Sequence, residues 1–310
     1  MKKSTVRIGT RGSELALIQA EHIKSMLQTA HNGIAVEIAT ISTAGDRSQK
    51  ENRALSEIGG KGLFTLEIEE KLLSGEIDLA VHSAKDVATT LPDGLGLVCY
   101  PERENPADAF ISHSAKTIDE LPIGATIGSA SLRRRALMWR KRPDLNMIMY
   151  RGNVGTRLQK LKDEVADATL LACAGLNRLG LSDAITSQLP IDDFPPAPAQ
   201  GAIGLEASLD NDDILNLLKA LNHRETEIAV TSERAFLEEL DGSCRTPIGA
   251  YATINGDKLS LHGIILKPDG SEFHEDCLQG TIHDARNLGL ELGKKLKSAA
   301  GKQFFEDWAI

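Results

Sequence analysis

Short apolar runs alternate with longer segments of helical periodicity over the first two thirds of the chain. The runs "VRIGT", "AVEIATIS" and "IDLAVHS" are typical of strands, and "SELALIQAEHIKSMLQTA" predicts a helix that Ser13 caps. The alternation returns with "ATIGS", "SLRRRALMWRKR", "NMIMY", "VGTRLQKLKD" and "ATLLACAG", of which the last is interpreted as a strand. This alternation predicts α/β lobes with parallel or mixed sheets and helices on their faces.

Two proline-containing stretches, "PERENPAD" and "LPIDDFPPAPAQGA", interrupt the alternation. We interpret them as crossovers between two lobes, after which "GAIGLEASL" returns to the first lobe. From about residue 222 the pattern changes to a long helix and three strand-like segments, whose connectors Asn255-Gly256 and Pro268-Asp269-Gly270 are typical of hairpin turns. The expected organisation is domain 1 at 1–101 and 202–220, domain 2 at 106–196, and a smaller C-terminal α+β domain with a three-stranded antiparallel sheet at 222–310.

Composition and charge narrow the function classes. The net charge is −9 and aromatic residues make up 4% of the chain, which argues against a nucleic-acid-binding surface. No apolar run approaches the length of a membrane span, and the basic N-terminus lacks the apolar region of a secretory signal, so we expect a cytoplasmic protein. The four cysteines include no CxxC pair and the eight histidines form no metal motif, so we expect neither a disulfide framework nor a metal site.

Three junctions nevertheless concentrate positive charge. In "IGTRGSEL", "IGSASLRRR" and "MYRGNVGTR" a strand ends, a short Gly/Ser loop follows, and arginine appears as a helix begins. Parallel strands place such junctions at one edge of the sheet, where helix N-termini and arginine side chains favour anions. Residues 128–160 hold nine Lys/Arg and one acid, Asp144, which predicts a ligand with several negative charges. Arg140, Lys141 and Arg142 lie further along the helix and are more typical of a solvated face.

The stretch "DLAVHSAKDV" leads an apolar strand directly into Lys85 and Asp86. One interpretation is a neighbouring ion pair in a loop. The other is an active-site carboxylate that stabilises a cationic intermediate or guides an N–H group. These residues alone leave both interpretations open.

Several motifs together resemble the hydroxymethylbilane synthase (porphobilinogen deaminase) family, in order and over nearly the whole chain. They are "RIGTRGSELALIQA", "GGKGLF", "VHSAKDV", "GSASLRR", "RGNVGTRLQKL", "AGLNRLG", "PAPAQGAIGLE" and "LDGSCRTPIGAY". The resemblance implies a monomeric transferase of heme and tetrapyrrole biosynthesis, which condenses four porphobilinogen molecules head to tail into linear hydroxymethylbilane and releases four ammonia. It also implies two periplasmic-binding-protein type II-like lobes with the active site between them, and a third domain. A dipyrromethane cofactor is expected on Cys244 through a thioether.

The resemblance also implies residue roles. Asp86 corresponds to the catalytic aspartate, which contacts pyrrole N–H groups and stabilises the azafulvenium cation left by deamination. The residues expected to hold the cofactor are Ser83, Lys85, Ser129, Ser131, Arg133, Arg134, Arg157 and Arg178, and those expected to receive the substrate are Arg11, Ser13, Gln19 and Arg151. The polar segment 43–62 is interpreted as a lid. Ala88, Ser243 and Arg245 depart from the commonest family pattern without removing a reacting group.

Two other functions are compatible with the junctions. A non-catalytic two-lobed binding protein for a small carboxylate would need neither Asp86 nor Cys244, since a fold does not determine function. A nucleic-acid binder would use the basic junctions, and its affinity would fall steeply with salt.

Overall fold

The computed structural model describes residues 5–43, 65–242, 246–306 and 308. The chain divides into two compact units, the first comprising residues 1–104 and 202–227, the second residues 105–201 and 228–310. The division into three domains with the boundaries given above stays a prediction.

Unit 1 is built on a five-stranded sheet. Its strands are β1 (Thr5–Arg11), β2 (Ala35–Ile41), β3 (Leu79–Ser83), β4 (Leu95–Cys99) and β10 (Ile203–Ser208), in the spatial order β2-β1-β3-β10-β4. Its described helices include α1 (Glu14–Ala30), α2 (Leu66–Leu73) and α6 (Asp212–Leu218). Because side chains alternate along a strand, Leu79 and Val81 pack with α1 while Ala80 packs with α2 on the other face.

Unit 2 contains a second five-stranded sheet with the same topology. Its strands are β5 (Asp108–Ser112), β6 (Thr126–Gly128), β7 (Asn146–Ile148), β8 (Ala168–Ala172) and β9 (Ser187–Gln188), in the order β7-β6-β8-β5-β9. The helices α3 (Leu132–Lys141), α4 (Val154–Lys162) and α5 (Cys173–Arg178) connect them. In each sheet the first three strands of the spatial order are parallel to one another, and the third pairs antiparallel with the fourth.

A three-stranded antiparallel sheet completes unit 2. It comprises β11 (Ile248–Asn255), β12 (Lys258–Leu266) and β13 (Phe273–Thr281), and α7 (Arg224–Glu239) and α8 (Ala285–Glu306) supply its helices. The two predicted hairpin turns place Gly256 at φ 60° and Gly270 at φ 73°, a conformation that favours glycine. Ile264 and Leu266 of β12 join the apolar core beneath α3.

The predicted fold class is confirmed: two α/β lobes, each built on a five-stranded mixed sheet, are followed by a three-stranded antiparallel sheet. The segment "GAIGLEASL" returns to the first sheet as β10, as expected. Two details differ. The strand predicted over "ATLLACAG" ends at Ala172, and helix α5 begins at Cys173. The three basic junctions lie on two sheets, one after β1 and two after the parallel neighbours β6 and β7.

Candidate functional site

The first junction follows β1. Arg11 is the last residue of that strand, and Ser13 caps α1, its side chain accepting a hydrogen bond from the backbone N–H of Ala16 at 3.3 Å. Gln19, further along α1, is 2% exposed. Its Nε2 donates to Ser83 Oγ at 3.1 Å and so joins α1 to the end of β3. The sequence assigns Gln19 to the substrate and Ser83 to the cofactor.

The turn that carries Asp86 follows β3. Ala84–Asp86 forms a 3-10 turn in which the N–H of Ala84 donates to the carbonyl of Ala202 at 3.0 Å. Lys85 and Asp86 are partly exposed on this turn. Since β1 and β3 are parallel neighbours, their carboxyl ends share one edge of the sheet. Unit 1 therefore brings the turn of Asp86 to the same sheet edge as Arg11 and Ser13.

The second junction joins β6 to α3. Ser129 is 2% exposed, and its Oγ accepts from the N–H of Ser131 at 3.2 Å. Ser131 caps α3 by accepting from the N–H of Arg134 at 3.4 Å. Arg133 and Arg134 are 3% and 5% exposed, so neither lies on a solvated helix face.

Both buried arginines converge on Asp108, the first residue of β5, which is fully buried. Arg133 Nη1 lies 2.8 Å from one carboxylate oxygen, and Arg134 donates through Nε and Nη2 to the other at 3.0 and 2.6 Å. Gln200 Nε2 donates to the same carboxylate at 2.9 Å. Burial alone would raise the pKa of Asp108, but the charges of the two arginines and their hydrogen bonds lower it far below its usual value.

Sequence reasoning did not identify Asp108 or Gln200. The available signal was an aspartate beginning the apolar run "DAFIS", because a carboxylate is rarely buried unless it is paired. Its partners lie in α3 and the "PAPAQGA" segment, and only the assembled fold brings them to it.

The third junction joins β7 to α4, which Asn153 caps by accepting from the N–H of Thr156 at 2.8 Å. Arg157 Nε donates to the carbonyl of Gly152 at 2.8 Å, and Arg151 lies partly exposed at the start of the loop. Arg178, at the end of α5, donates through Nη2 to the carbonyl of Gly201 at 2.7 Å. Each of these three arginines is partly exposed.

Three basic residues at the end of α3 and just after it contact acids of their own unit. Arg140 Nη2 lies 2.9 Å from Glu275 Oε2, and its guanidinium carbon lies 3.7 Å from the centroid of the Phe273 ring. Arg142 pairs with Asp144 at 2.7 Å, and Lys141 lies 3.5 Å from Asp119. Arg140 and Arg142 are thus held within the fold, whereas Lys141 keeps the exposed position that was expected.

The described cysteines differ in environment. Cys99 and Cys173 are buried as predicted, and Cys277 lies exposed on β13. Burial raises the pKa of the Cys99 thiol to about 12, so it is a poor nucleophile. Cys244, its neighbours Ser243 and Arg245, and all of the predicted lid except Thr43 lie outside the described residues.

Models of known families match most of the chain. The dipyrromethane cofactor-binding domain of porphobilinogen deaminase matches residues 6–216, and the C-terminal domain of porphobilinogen deaminase matches residues 227–298. The chain belongs to the porphobilinogen deaminase family. The porphobilinogen deaminase of Nitrobacter winogradskyi is 51% identical over 300 residues, which cover 96% of this chain and 94% of that protein. The predicted family, its transferase activity as a hydroxymethylbilane synthase and its dipyrromethane cofactor are therefore confirmed.

Solved structures of lower similarity were also found. The methionine-binding protein MetQ is 15% identical with a TM-score of 0.46, over 72% of this chain and 92% of that chain. The periplasmic VFT2 domain of BvgS from Bordetella pertussis is 17% identical with a TM-score of 0.42, over 70% of this chain and 86% of that chain. Neither likeness bears on function.

The described residues of unit 2 fit a dipyrromethane, whose side chains are carboxylates. The donor set consists of two serine hydroxyls, the N-terminus of α3 and several guanidinium groups, all of which favour carboxylate oxygens. Within the described part of the chain, the buried Nε of Arg133 has no hydrogen-bond partner. The junction therefore retains donor capacity beyond that used by Asp108.

Among the described residues, no helix is both long and apolar enough to cross a membrane, and no group of three or more His, Cys, Asp and Glu side chains is arranged to hold a metal ion.

Proposed function

We propose that Asp86 is the catalytic residue with which this hydroxymethylbilane synthase condenses porphobilinogen. The observation that carries the proposal is the position of Asp86 on a short turn after a buried strand, at the sheet edge where Arg11 and the capped start of α1 also lie. The turn is restrained by the Ala84–Ala202 hydrogen bond and by Gln19 on Ser83. A carboxylate on a fixed support suits charge stabilisation, because it needs little reorganisation during the reaction.

The carboxylate has two tasks in this proposal. It accepts a hydrogen bond from the pyrrole N–H of porphobilinogen, which orients the ring. As the aminomethyl C–N bond breaks and ammonia leaves, the ring gains positive charge, which the carboxylate opposes. The same oxygen atoms assist loss of the ring proton after coupling.

The proposed substrate-binding residues bear complementary charge or donors. Porphobilinogen carries an acetate and a propionate, and a guanidinium forms paired hydrogen bonds with a carboxylate. We assign this role to Arg11, Ser13, Gln19 and Arg151. In Ser13 the hydroxyl proton remains available, because its Oγ acts as an acceptor in the helix cap.

The dipyrromethane, when bound, supplies the primer from which the pyrrole chain grows. We propose that Cys244 carries it. The residues proposed to hold its carboxylates are Ser83 and Lys85 of unit 1, and Ser129, Ser131, Arg133, Arg134, Arg157 and Arg178 of unit 2. Arg133 and Arg134 act from a buried position beside Asp108, which keeps them fixed and charged.

We also propose that the protein is a cytoplasmic monomer that binds no nucleic acid. The pairing of Arg140 with Glu275 and of Arg142 with Asp144 supports the last point, because phosphate contacts need uncommitted cations.

Two variants test the assignment. Asp86→Asn is expected to load the cofactor normally while turnover falls by at least about 10²-fold. The exposed Asp93, in the same unit, provides the matched control Asp93→Asn. Cys244→Ser is expected to yield protein of the bare sequence mass, without covalent pyrroles. Near-normal turnover of Asp86→Asn would remove Asp86 from the mechanism, and wild-type protein without bound pyrrole would favour the binding-protein alternative.

A further inference from the structure

Three buried titratable side chains lie together on the opposite face of the unit 1 sheet from Gln19. His82 Nε2 lies 3.0 Å from Glu206 Oε2, and Glu69 of α2 lies close enough to both for their charges to affect its pKa. His82 is 6%, Glu206 0% and Glu69 5% exposed. The established reaction assigns no task to any of them.

The strand register explains how the pair forms. β10 runs antiparallel to β3, with Gly204 opposite His82 and Glu206 opposite Ala80. His82 and Glu206 are therefore diagonal neighbours on one face, within reach of an imidazole and a glutamate side chain. By strand alternation, Arg7 and Arg11 of β1 share this face with His82 of β3 and Glu206 of β10. Helix α2, which packs on this face, carries Glu67, Glu69, Glu70 and Lys71.

Glu69 is the member of this cluster whose pKa its surroundings shift. Burial raises the pKa of Glu69, and the charge of Glu206 adds to this, while a hydrogen bond from Thr65 and the charge of His82 oppose it. A polar side chain buried at this depth is costly without a partner, so the 3.0 Å contact between His82 and Glu206 holds the two strands together.

We propose that His82 and Glu206 are positioning residues for Asp86, an inference that rests on the proposed catalytic role of Asp86. His82 directly precedes Ser83, the last residue of β3, and the Asp86 turn begins at Ala84. Two restraints on this strand end were described above, the Gln19–Ser83 and Ala84–Ala202 hydrogen bonds. The His82–Glu206 pair is the third, and it acts from the face that Gln19 does not reach.

The pair has a role beyond stability in this proposal. A buried ion pair is commonly no more stabilising than a packed neutral pair of similar size, because desolvation offsets the attraction. It does define the relative position of the two strands narrowly, since displacement of either strand leaves a buried polar side chain without its partner. Displacement of a catalytic group by about 1 Å can lower a rate roughly 10²-fold.

The test compares His82→Gln, Glu206→Gln and the double variant, each loaded with cofactor. Each single change leaves one partner unmatched, so kcat is expected to fall roughly 10- to 100-fold while KM for porphobilinogen and the bound-cofactor mass stay unchanged. In the double variant two amides can hydrogen-bond with each other, and part of the lost kcat is expected to return. His31→Gln and Glu37→Gln are matched controls in the same unit, since His31 contacts the carbonyl of Leu217 and Glu37 is exposed on β2.

The outcomes separate the inference from the proposed function. Wild-type kcat in both single variants, with Asp86→Asn slow, would overturn only the positioning role. Normal turnover of Asp86→Asn would overturn the proposed function itself. The single variants could instead show a lower melting temperature, less bound cofactor and a lower kcat together, with no recovery in the double variant. That result would show that the pair is purely structural and would also overturn the inference. If a single variant does not fold, recovery or loss of kcat in the double variant decides.

Discussion

Replacement of Asp108 by asparagine tests how the arginines of α3 are kept buried. The change preserves the size of the side chain but removes the charge that faces two guanidinium groups at 2.6 and 2.8 Å. Asparagine can still accept hydrogen bonds from Arg134 and Gln200, so the loss is electrostatic. The two like charges of Arg133 and Arg134 would then share one buried site without the carboxylate that faces both of them.

The magnitude follows from burial. Removing one partner of a buried ion pair costs about 3–5 kcal/mol, and the retained hydrogen bonds place Asp108→Asn near the lower value. In a body of 150–250 residues each kcal/mol corresponds to about 2–4 °C in melting temperature. The unfolding transition of unit 2 is therefore expected to fall by roughly 6–12 °C. Cofactor content, measured by intact mass, is expected to fall with it, because Arg133 and Arg134 lose their fixed positions.

The pH dependence gives a second measurement. The folded-state pKa of Asp108 lies below its value of about 3.9 in the unfolded chain. Its stabilising contribution is thus fully present above about pH 4 and is lost as pH falls through the folded-state pKa. The stability difference between wild type and Asp108→Asn is expected to be constant near neutrality and to narrow only in strong acid.

A surface pair provides the control for this experiment. Asp119 lies 3.5 Å from Lys141 with 68% of its side chain exposed, and such pairs contribute about 0–1 kcal/mol. Asp119→Asn is expected to melt close to wild type. If the free energy of unfolding of Asp108→Asn were also within about 1 kcal/mol of wild type, and the variant kept its cofactor, the buried-charge reasoning would be wrong.

Two further predictions concern burial and packing. Alkylation of the native protein at mild pH is expected to modify the exposed Cys277 and to spare Cys99, because burial raises the pKa of the Cys99 thiol to about 12. Peptide mass analysis would identify the modified residue, and labelled Cys99 in folded protein would contradict its burial. Gly128→Ala is expected to destabilise the protein by about 1–3 kcal/mol, because the new methyl group would lie 2.5 Å from the buried ring of Tyr150. An unchanged midpoint of denaturant unfolding would show that the ring can move aside.

The sequence alone determined the features that depend on short segments. Alternation of apolar and polar residues predicted the lobes and the antiparallel sheet, because periodicity is a local property. The N-cap at Ser13 and the glycine turns at Gly256 and Gly270 were predictable for the same reason. The family was recognisable because its motifs follow one another in order, and this indicated the reaction and cofactor before any geometry was known.

Only the tertiary structure decided which distant side chains meet. Arg133 and Arg134 were predicted to face a ligand, and the fold shows that Asp108, on another strand, is their immediate partner. Nothing in "VHSAKDV" indicates that His82 pairs with Glu206, since that contact needs the antiparallel register of β10 on β3. The end of β8 at Ala172 was likewise not recognisable in the sequence, because the apolar run continues unbroken into helix α5. Buried charges choose their partners from the assembled core, and that core exists only when segments remote in sequence have come together.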